Sequence, residues 1–214
     1  MIFSSDELMF LTIIAKCSKP FGINLEKIKD NVEMRGEQAR QRLIDKGILK
    51  NDGITTEGIA VIRLWEEYCN ATKFFICNRC VVALISNRRC VVSTVVDGGY
   101  DIASGDKMEV AYALLKDIEA LRDGKKENLS AETTTIESYA EFRNRIKPFG
   151  ENVLSTGAFN FKSNKRQERI FYWDDRDMYS FNPKEGEETI VDAPYVRRFI
   201  VDGLELEKGV LENG

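Results

Sequence analysis

The sequence predicts an α+β protein: antiparallel β-sheet in two related portions with quasi-two-fold character, flanked by helices. Three features lead to that reading. Apolar residues recur at helical spacing through the first 70 residues. Two later segments each pair apolar or aromatic runs across a short turn and then pass into a helix. In both, a tyrosine follows an Asp-containing turn, Asp97-Gly98-Gly99-Tyr100 and Asp174-Asp175-Arg176-Asp177-Met178-Tyr179. The order is helices, strands, helix, strands, helix, which is not the strict strand–helix alternation of a parallel βαβ sheet.

The elements follow in order. Ser4 or Ser5 caps a first helix with Leu8, Leu11 and Ala15 on its apolar stripe, and Pro20 and Gly22 end it. Asn24 caps a short second helix begun by Leu25 and Ile28. Val32 to Lys46 is a third, with Ala39 and Leu43 inward and Gly47 as its stop. Ile48 to Ile54 forms a short extended pair around Asn51-Asp52-Gly53. Thr55 or Thr56 caps a fourth helix carrying Ile59, Ile62, Trp65 and Cys69 on one face. Two strands, Cys80–Ile85 and Cys90–Val96, join across Asn87-Arg88-Arg89, and Tyr100–Ile102 is a third. These strands are apolar on both faces, so the sheet is covered on both sides, or covered on one and used for binding on the other.

Ser104 or Asp106 caps the next helix, which bears Met108, Ala111, Leu115, Ile118 and Leu121. Asp123 to Thr135 reads as a polar linker or exposed loop. Ile136, Tyr139, Phe142 and Ile146 define a helix that ends by Pro148. Ala158–Lys162, Ile170–Trp173 and Met178–Phe181 are strands, and Thr189–Val191 a further one. Asp192 caps a last helix with Pro194 in its first turn and Val196, Phe199, Ile200 and Leu204 inward. The organisation expected is 1–123 for the N-terminal helices with the first strand–strand–helix unit, 124–151 for a linker and helix, and 152–214 for the second unit.

Composition bounds the chemistry. The 214 residues are 43% hydrophobic and 31% charged, enough for a real core without cross-links. A net charge of -4 offers no overall positive field for nucleic acid or anionic lipid. Histidine is absent, which excludes His-based triads, His metal ligands and imidazole bases. Five cysteines in mostly apolar context fit a reducing cytoplasm better than a disulfide framework. Asp6 and Glu7, not lysine or arginine, precede the run Phe10 to Ala15, so no signal peptide is expected. The run Cys80 to Ile85 is far short of the ~18 residues that span a bilayer. We expect a cytoplasmic monomer or homodimer with no membrane segment.

No motif specifies a reaction, and no catalytic residue, cofactor or metal is expected. Cys77-x-x-Cys80 has knuckle spacing but lacks a second knuckle, so these cysteines read as buried and inert. Asp174, Asp175 and Asp177 read as turn formers rather than cation ligands. Glu66-Glu67 and Glu187-Glu188 are adjacent pairs and do not face one another as acid–base partners would. Gly53-x-x-x-x-Gly58 is followed by Ile59 and is no phosphate loop.

Two binding functions compete. The N-terminal helices, then Arg42-Leu43-Ile44-Asp45-Lys46-Gly47-Ile48-Leu49-Lys50 and Gly53-Ile54-Thr55-Thr56-Glu57-Gly58, resemble winged-helix domains. That resemblance implies a transcriptional regulator binding DNA through residues 24–55, with Arg35, Arg40, Arg42, Lys46 and Lys50 as contacts. Residues 25–50 hold seven basic and five acidic side chains, a weak phosphate footprint.

The whole chain resembles a second family. Ser5-Asp6-Glu7-Leu8 opens a helix, Val81–Ile85 and Val91–Val96 pair as strands, and Leu114-Leu115 lies in a helix. Arg169-Ile170-Phe171-Tyr172-Trp173-Asp174 then leads to Tyr179 and to Val191-Asp192-Ala193-Pro194. Over residues 5–207 this pattern resembles the EspG-like chaperones of type VII secretion systems. The resemblance implies a quasi-two-fold α+β fold, no catalysis, and a cytosolic chaperone or adaptor that binds a helical secreted substrate before export. A client's apolar helical tip needs an apolar surface with a polar rim, and Arg88, Arg89, Tyr172, Trp173 and Tyr179 are the candidate contacts. The competing reading of the three aromatics is a set of cross-strand core pairs.

Overall fold

A computed structural model of the chain describes residues 1–25, 32–122, 124 and 133–206. Its first elements are β1 (Ile2–Phe3), α1 (Ser5–Ile14), α2 (Val32–Asp45), β2 (Leu49–Lys50), β3 (Gly53–Ile54) and α3 (Thr56–Asn70). Four strands follow, β4 (Lys73–Cys77), β5 (Cys80–Leu84), β6 (Arg89–Val96) and β7 (Gly99–Asp106), then α4 (Lys107–Leu115) and a 3₁₀ turn at Glu119–Arg122. The rest is β8 (Thr133–Thr135), α5 (Tyr139–Ile146), a 3₁₀ turn at Lys147–Phe149, β9 (Val153–Asn160), β10 (Lys165–Trp173), β11 (Met178–Asn182), β12 (Glu187–Val191) and α6 (Ala193–Gly203). The fold is α+β, and the pairings β1–β7, β5–β6, β4–β9, β9–β10, β10–β11, β11–β12, β12–β8 and β2–β3 are antiparallel. The expected second helix falls on residues 26–31, outside the described residues.

In chain order, helix, four strands, helix occurs twice, as α3–β4–β5–β6–β7–α4 and as α5–β9–β10–β11–β12–α6. Both closing helices start at an aspartate. Asp106 accepts the N–H of Met108, and Asp192 accepts that of Tyr195. The first strands of the two runs, β4 and β9, pair antiparallel from Lys73↔Asn160 to Cys77↔Thr156. Strand β4 corrects the sequence reading, whose first strand was Cys80–Ile85. The run Phe74-Phe75-Ile76 follows directly on the helical stripe of α3 and does not announce a change of period. Thr133–Thr135 is a second correction. These residues form edge strand β8 on β12 rather than a loop, because three consecutive β-branched residues favour an extended, half-solvated backbone.

The chain divides into two compact units, Met1–Ala71 with Cys80–Gly105, and Thr72–Arg79 with Asp106–Gly214. In the first, strands run in the order β1-β7-β6-β5. Helix α1 opens with a capping box: Ser4 Oγ accepts the N–H of Glu7, and the Glu7 carboxylate accepts the N–H of Ser4. Leu8, Leu11, Leu43, Trp65, Val82 and Val91 form the core. The Trp65 and Tyr68 rings stack with centroids 5.5 Å apart. Their polar ends are satisfied, Trp65 Nε1 donating to Thr12 Oγ1 at 3.0 Å and the Tyr68 hydroxyl to the Phe21 carbonyl at 2.7 Å.

In the second unit the strand order is β4-β9-β10-β11-β12-β8. Strand β10 shows why helices are needed on both of its faces. Phe171 packs on Tyr195 and Phe199 of α6, and the next residue, Tyr172, packs on Phe142 of α5. Successive side chains of a strand point to opposite faces, so two adjacent buried aromatics demand two covers. The sequence pattern of α6 holds: Val196, Ile200 and Leu204 are fully buried.

Two helical glycines separate close approach from mere propensity. A Cβ on Gly58 of α3 would lie 1.9 Å from the Ile48 carbonyl oxygen, whereas one on Gly36 of α2 would meet nothing within 4 Å. Gly36→Ala is therefore expected to stabilise by about 0.5–1 kcal/mol. Gly58→Ala is expected to destabilise by about 1–3 kcal/mol, since backbone must shift to admit the methyl. Urea unfolding of both variants checks the opposite signs.

Candidate functional site

Strands β10 and β11 bring Tyr172 and Tyr179 into register as partners, with rings stacked 5.2 Å apart. Tyr172 is fully buried, with Phe142, Phe149 and Phe181 in the same cluster. It is a core residue and presents no surface to a partner. Tyr179 is half-buried against Phe149, with the Arg145 guanidinium 5.9 Å over its ring. Glu188 on β12, only 3% exposed, anchors this cluster. It accepts a hydrogen bond from the Tyr172 hydroxyl and a fork from Arg145, Nη2 at 2.7 Å and Nε at 3.1 Å. That carboxylate holds the Arg145 pKa above its ordinary value. Sequence reading passed Glu188 over as half of an adjacent pair; on a strand, its neighbour Glu187 points to solvent while Glu188 points in.

Trp173, the other predicted aromatic, sits differently. It is half-buried where β10 ends, its N–H donating to the Asn152 carbonyl at 3.2 Å. There it lines a cleft of about 540 Å³ with Ile118, Val153 and Leu154 as further apolar surface. The rim carries Asp117, Glu119, Glu151, Asp174 and Asp175. Asp174 is a turn former, as expected: its Oδ1 accepts the N–H groups of Arg176 and Asp177, each at 2.8 Å. No described cation pairs with Asp117, Glu119, Glu151 or Asp175. Asn78, at φ +50°, closes one side and is held by two hydrogen bonds with the Ser155 backbone, each 2.8 Å. The cleft draws on four separate stretches of chain, and sequence spacing alone does not reveal it. Among the described residues no three of Cys, Asp and Glu gather to hold a metal.

Arg88 and Arg89 occupy the β5–β6 turn in the first unit, and both are exposed. Arg89 is engaged by Glu67 of α3 at 2.6 Å, which raises its pKa. The cysteines of the Cys77-x-x-Cys80 motif make ordinary local contacts. Cys77 is buried, and Cys80 Sγ lies 3.1 Å from Thr94 Oγ1.

In the first unit α1, α2 and the β2–β3 hairpin follow one another, and the cations named above as DNA contacts are engaged within the chain. Arg35 binds Asp6 at 2.6 Å, and Arg42 lies 3.6 Å from Asp6 and 3.9 Å from Glu7. Lys46 binds Glu7 and the Ile2 carbonyl, at 2.6 and 2.7 Å. Arg40 donates to the Asn51 carbonyl at 2.7 Å, and Lys50 lies 3.8 Å from Asp52. The acidic first turn of α1 thus neutralises the helix that would enter a groove.

A family model described as a domain of unknown function, DUF5081, matches residues 1–209. The chain belongs to the DUF5081 family. No curated protein matches it.

Tyr172→Phe leaves the buried Glu188 carboxylate with one donor fewer. It is expected to lower unfolding free energy by about 1.5–3 kcal/mol, the usual value of a hydrogen bond to a charged group, as measured by urea denaturation. With the basic residues of α2 paired, fluorescence anisotropy against pooled genomic fragments is expected to show no binding tighter than the non-specific range of about 10⁻⁴–10⁻⁶ M at physiological salt. Saturable submicromolar binding would restore the regulator reading.

Proposed function

We propose that this DUF5081 protein is a non-enzymatic, cytoplasmic chaperone or adaptor that binds a helical type VII secretion substrate before export. The observation that carries the proposal is the Trp173 cleft, where Trp173, Ile118 and Val153 lie among the carboxylates of Asp117, Glu119, Glu151 and Asp175, with which no described cation pairs. An exposed helix tip has the complementary character. Its side chains are apolar, and its N-terminal backbone N–H groups carry a partial positive charge that a carboxylate rim favours. The doubled order of helix, four strands and Asp-capped helix supports the reading further, since it accords with the quasi-two-fold architecture that the chaperone resemblance implies.

Of the contacts expected from sequence, Trp173 is retained as the one at the cleft, while Tyr172 is a core residue and Tyr179 is half-buried against Phe149. Arg88 and Arg89 belong to the other unit, and Arg89 is tied to Glu67. The DNA-binding reading ranks below this one because of the ion pairs between α1 and α2.

The test is calorimetric titration with the helical-hairpin secretion substrates encoded in the same genome. One of them is expected to bind saturably. Glu119→Lys with Asp175→Lys is then expected to weaken it at least tenfold, about 1.4 kcal/mol, with the melting temperature held because both side chains are exposed. Failure of every such substrate to bind would refute the proposal. Wild-type affinity in the double variant would move the contact away from the cleft.

A further inference from the structure

Beside the Trp173 cleft the second unit carries another cleft, of opposite charge. The end of α5 and the start of the 3₁₀ turn after it read Arg143-Asn144-Arg145-Ile146-Lys147. Arg145 is taken by Glu188. Arg143 and Lys147 lie four residues apart, which puts them on one helix face, and both are exposed. With Ile146, Gly150 and Val153 they line a cleft of about 700 Å³. A helix C-terminus favours positive charge, yet like charges at this spacing repel each other unless opposite charge meets them. No described carboxylate pairs with either cation. Val153 lines both clefts, so residues 150–153 divide a basic side from the side that bears Asp117, Glu119, Glu151 and Asp175.

We infer that these two clefts together are the docking surface for a second copy of this chain, related to the first by a two-fold axis close to residues 150–153. In such a contact the same patch meets itself after half a turn. A patch that is basic on one side of the axis and acidic on the other is then its own complement. Arg143 and Lys147 of each copy meet the carboxylate rim of the other, so one contact makes the charge match twice. Ile146 in one cleft, Trp173 in the other and Val153 in both supply apolar surface inside the charged surround. Carboxylates and cations that find no described partner within the chain find one across the axis. This association needs no client. It covers the Trp173 cleft, however, so a client bound there and a second copy exclude one another, and the dimer is the form of the chain without client.

Sedimentation velocity of the chain alone, over a concentration series at low salt, is expected to show a monomer–dimer equilibrium that moves toward monomer as salt is raised. Arg143→Glu with Lys147→Glu is expected to raise the dimer dissociation constant about tenfold or more, and so is Glu119→Lys with Asp175→Lys. The side chains replaced are exposed, and circular dichroism checks that the fold is kept. Mixed in equal amounts, the two double variants are expected to regain a one-to-one dimer, because the first presents carboxylates in both clefts and the second presents cations in both. The inference is overturned if the chain stays monomeric throughout the series, if both double variants dimerise as the wild type does, or if their mixture fails to associate. A secretion substrate that never binds leaves these results unchanged and refutes the client reading alone.

Discussion

An ionised carboxylate taken out of water must be met by donors and opposite charge, or it destabilises the fold by several kcal/mol. Glu188 imposes that requirement on the second unit. Its donors come from two other elements, the Tyr172 hydroxyl on β10 and the Arg145 guanidinium on α5. Meeting both fixes how α5 lies over the strands, and the rings of Phe142, Phe149 and Tyr179 fill the space so defined. The 3₁₀ turn Lys147–Phe149 and the left-handed Gly150 then deliver the chain to Val153, at the edge of the Trp173 cleft. The first unit repeats the device. Glu7, 1% exposed, is met by the Ser4 N–H at 2.7 Å and Lys46 at 2.6 Å, which fastens α1 to α2.

These pairs bear on the DNA-binding reading that the N-terminal elements suggested. Phosphate binding draws on cations that can neutralise phosphates and so release the counterions condensed on the duplex. Arg35, Arg42 and Lys46 instead hold carboxylates of their own chain, and a duplex would have to displace them. Arg89 is occupied in the same way by Glu67. Around the Trp173 cleft the balance is reversed. Asp117, Glu119, Glu151 and Asp175 pair with no described cation, so their carboxylates can meet positive charge on a partner.

Some of this was legible in the residues. The caps at Ser4, Thr55, Asp106 and Asp192 were among those read from the chain, because an N-cap is a local bond between a side chain and a backbone two or three residues on. The apolar stripe of α6 was legible through its period; that of α3 was so in part, Trp65 and Cys69 being buried while Ile59 is exposed and Tyr68 is buried in addition. Strand β4 was not, since five apolar-rich residues directly after a helix carry no period of their own. Adjacent Phe171 and Tyr172 marked a strand, yet only the helices on its two faces show that Tyr172 is core while Trp173, one residue further, reaches the cleft.

The sequence by itself determined the α+β class, the repeated passage from strands into a helix, and the lack of any histidine chemistry, because each follows from composition or from contacts within a few residues. Tertiary structure alone decided which charges are spent and which are available. Glu187 and Glu188 are adjacent and chemically identical, but one faces solvent and the other is buried under Tyr172 and Arg145. Asp117, Glu119, Glu151 and Asp175 become a rim only when the fold brings distant segments together. The physical reason is that Coulomb and hydrogen-bond energies depend on separation and burial in space, and neither quantity is carried by distance along the chain.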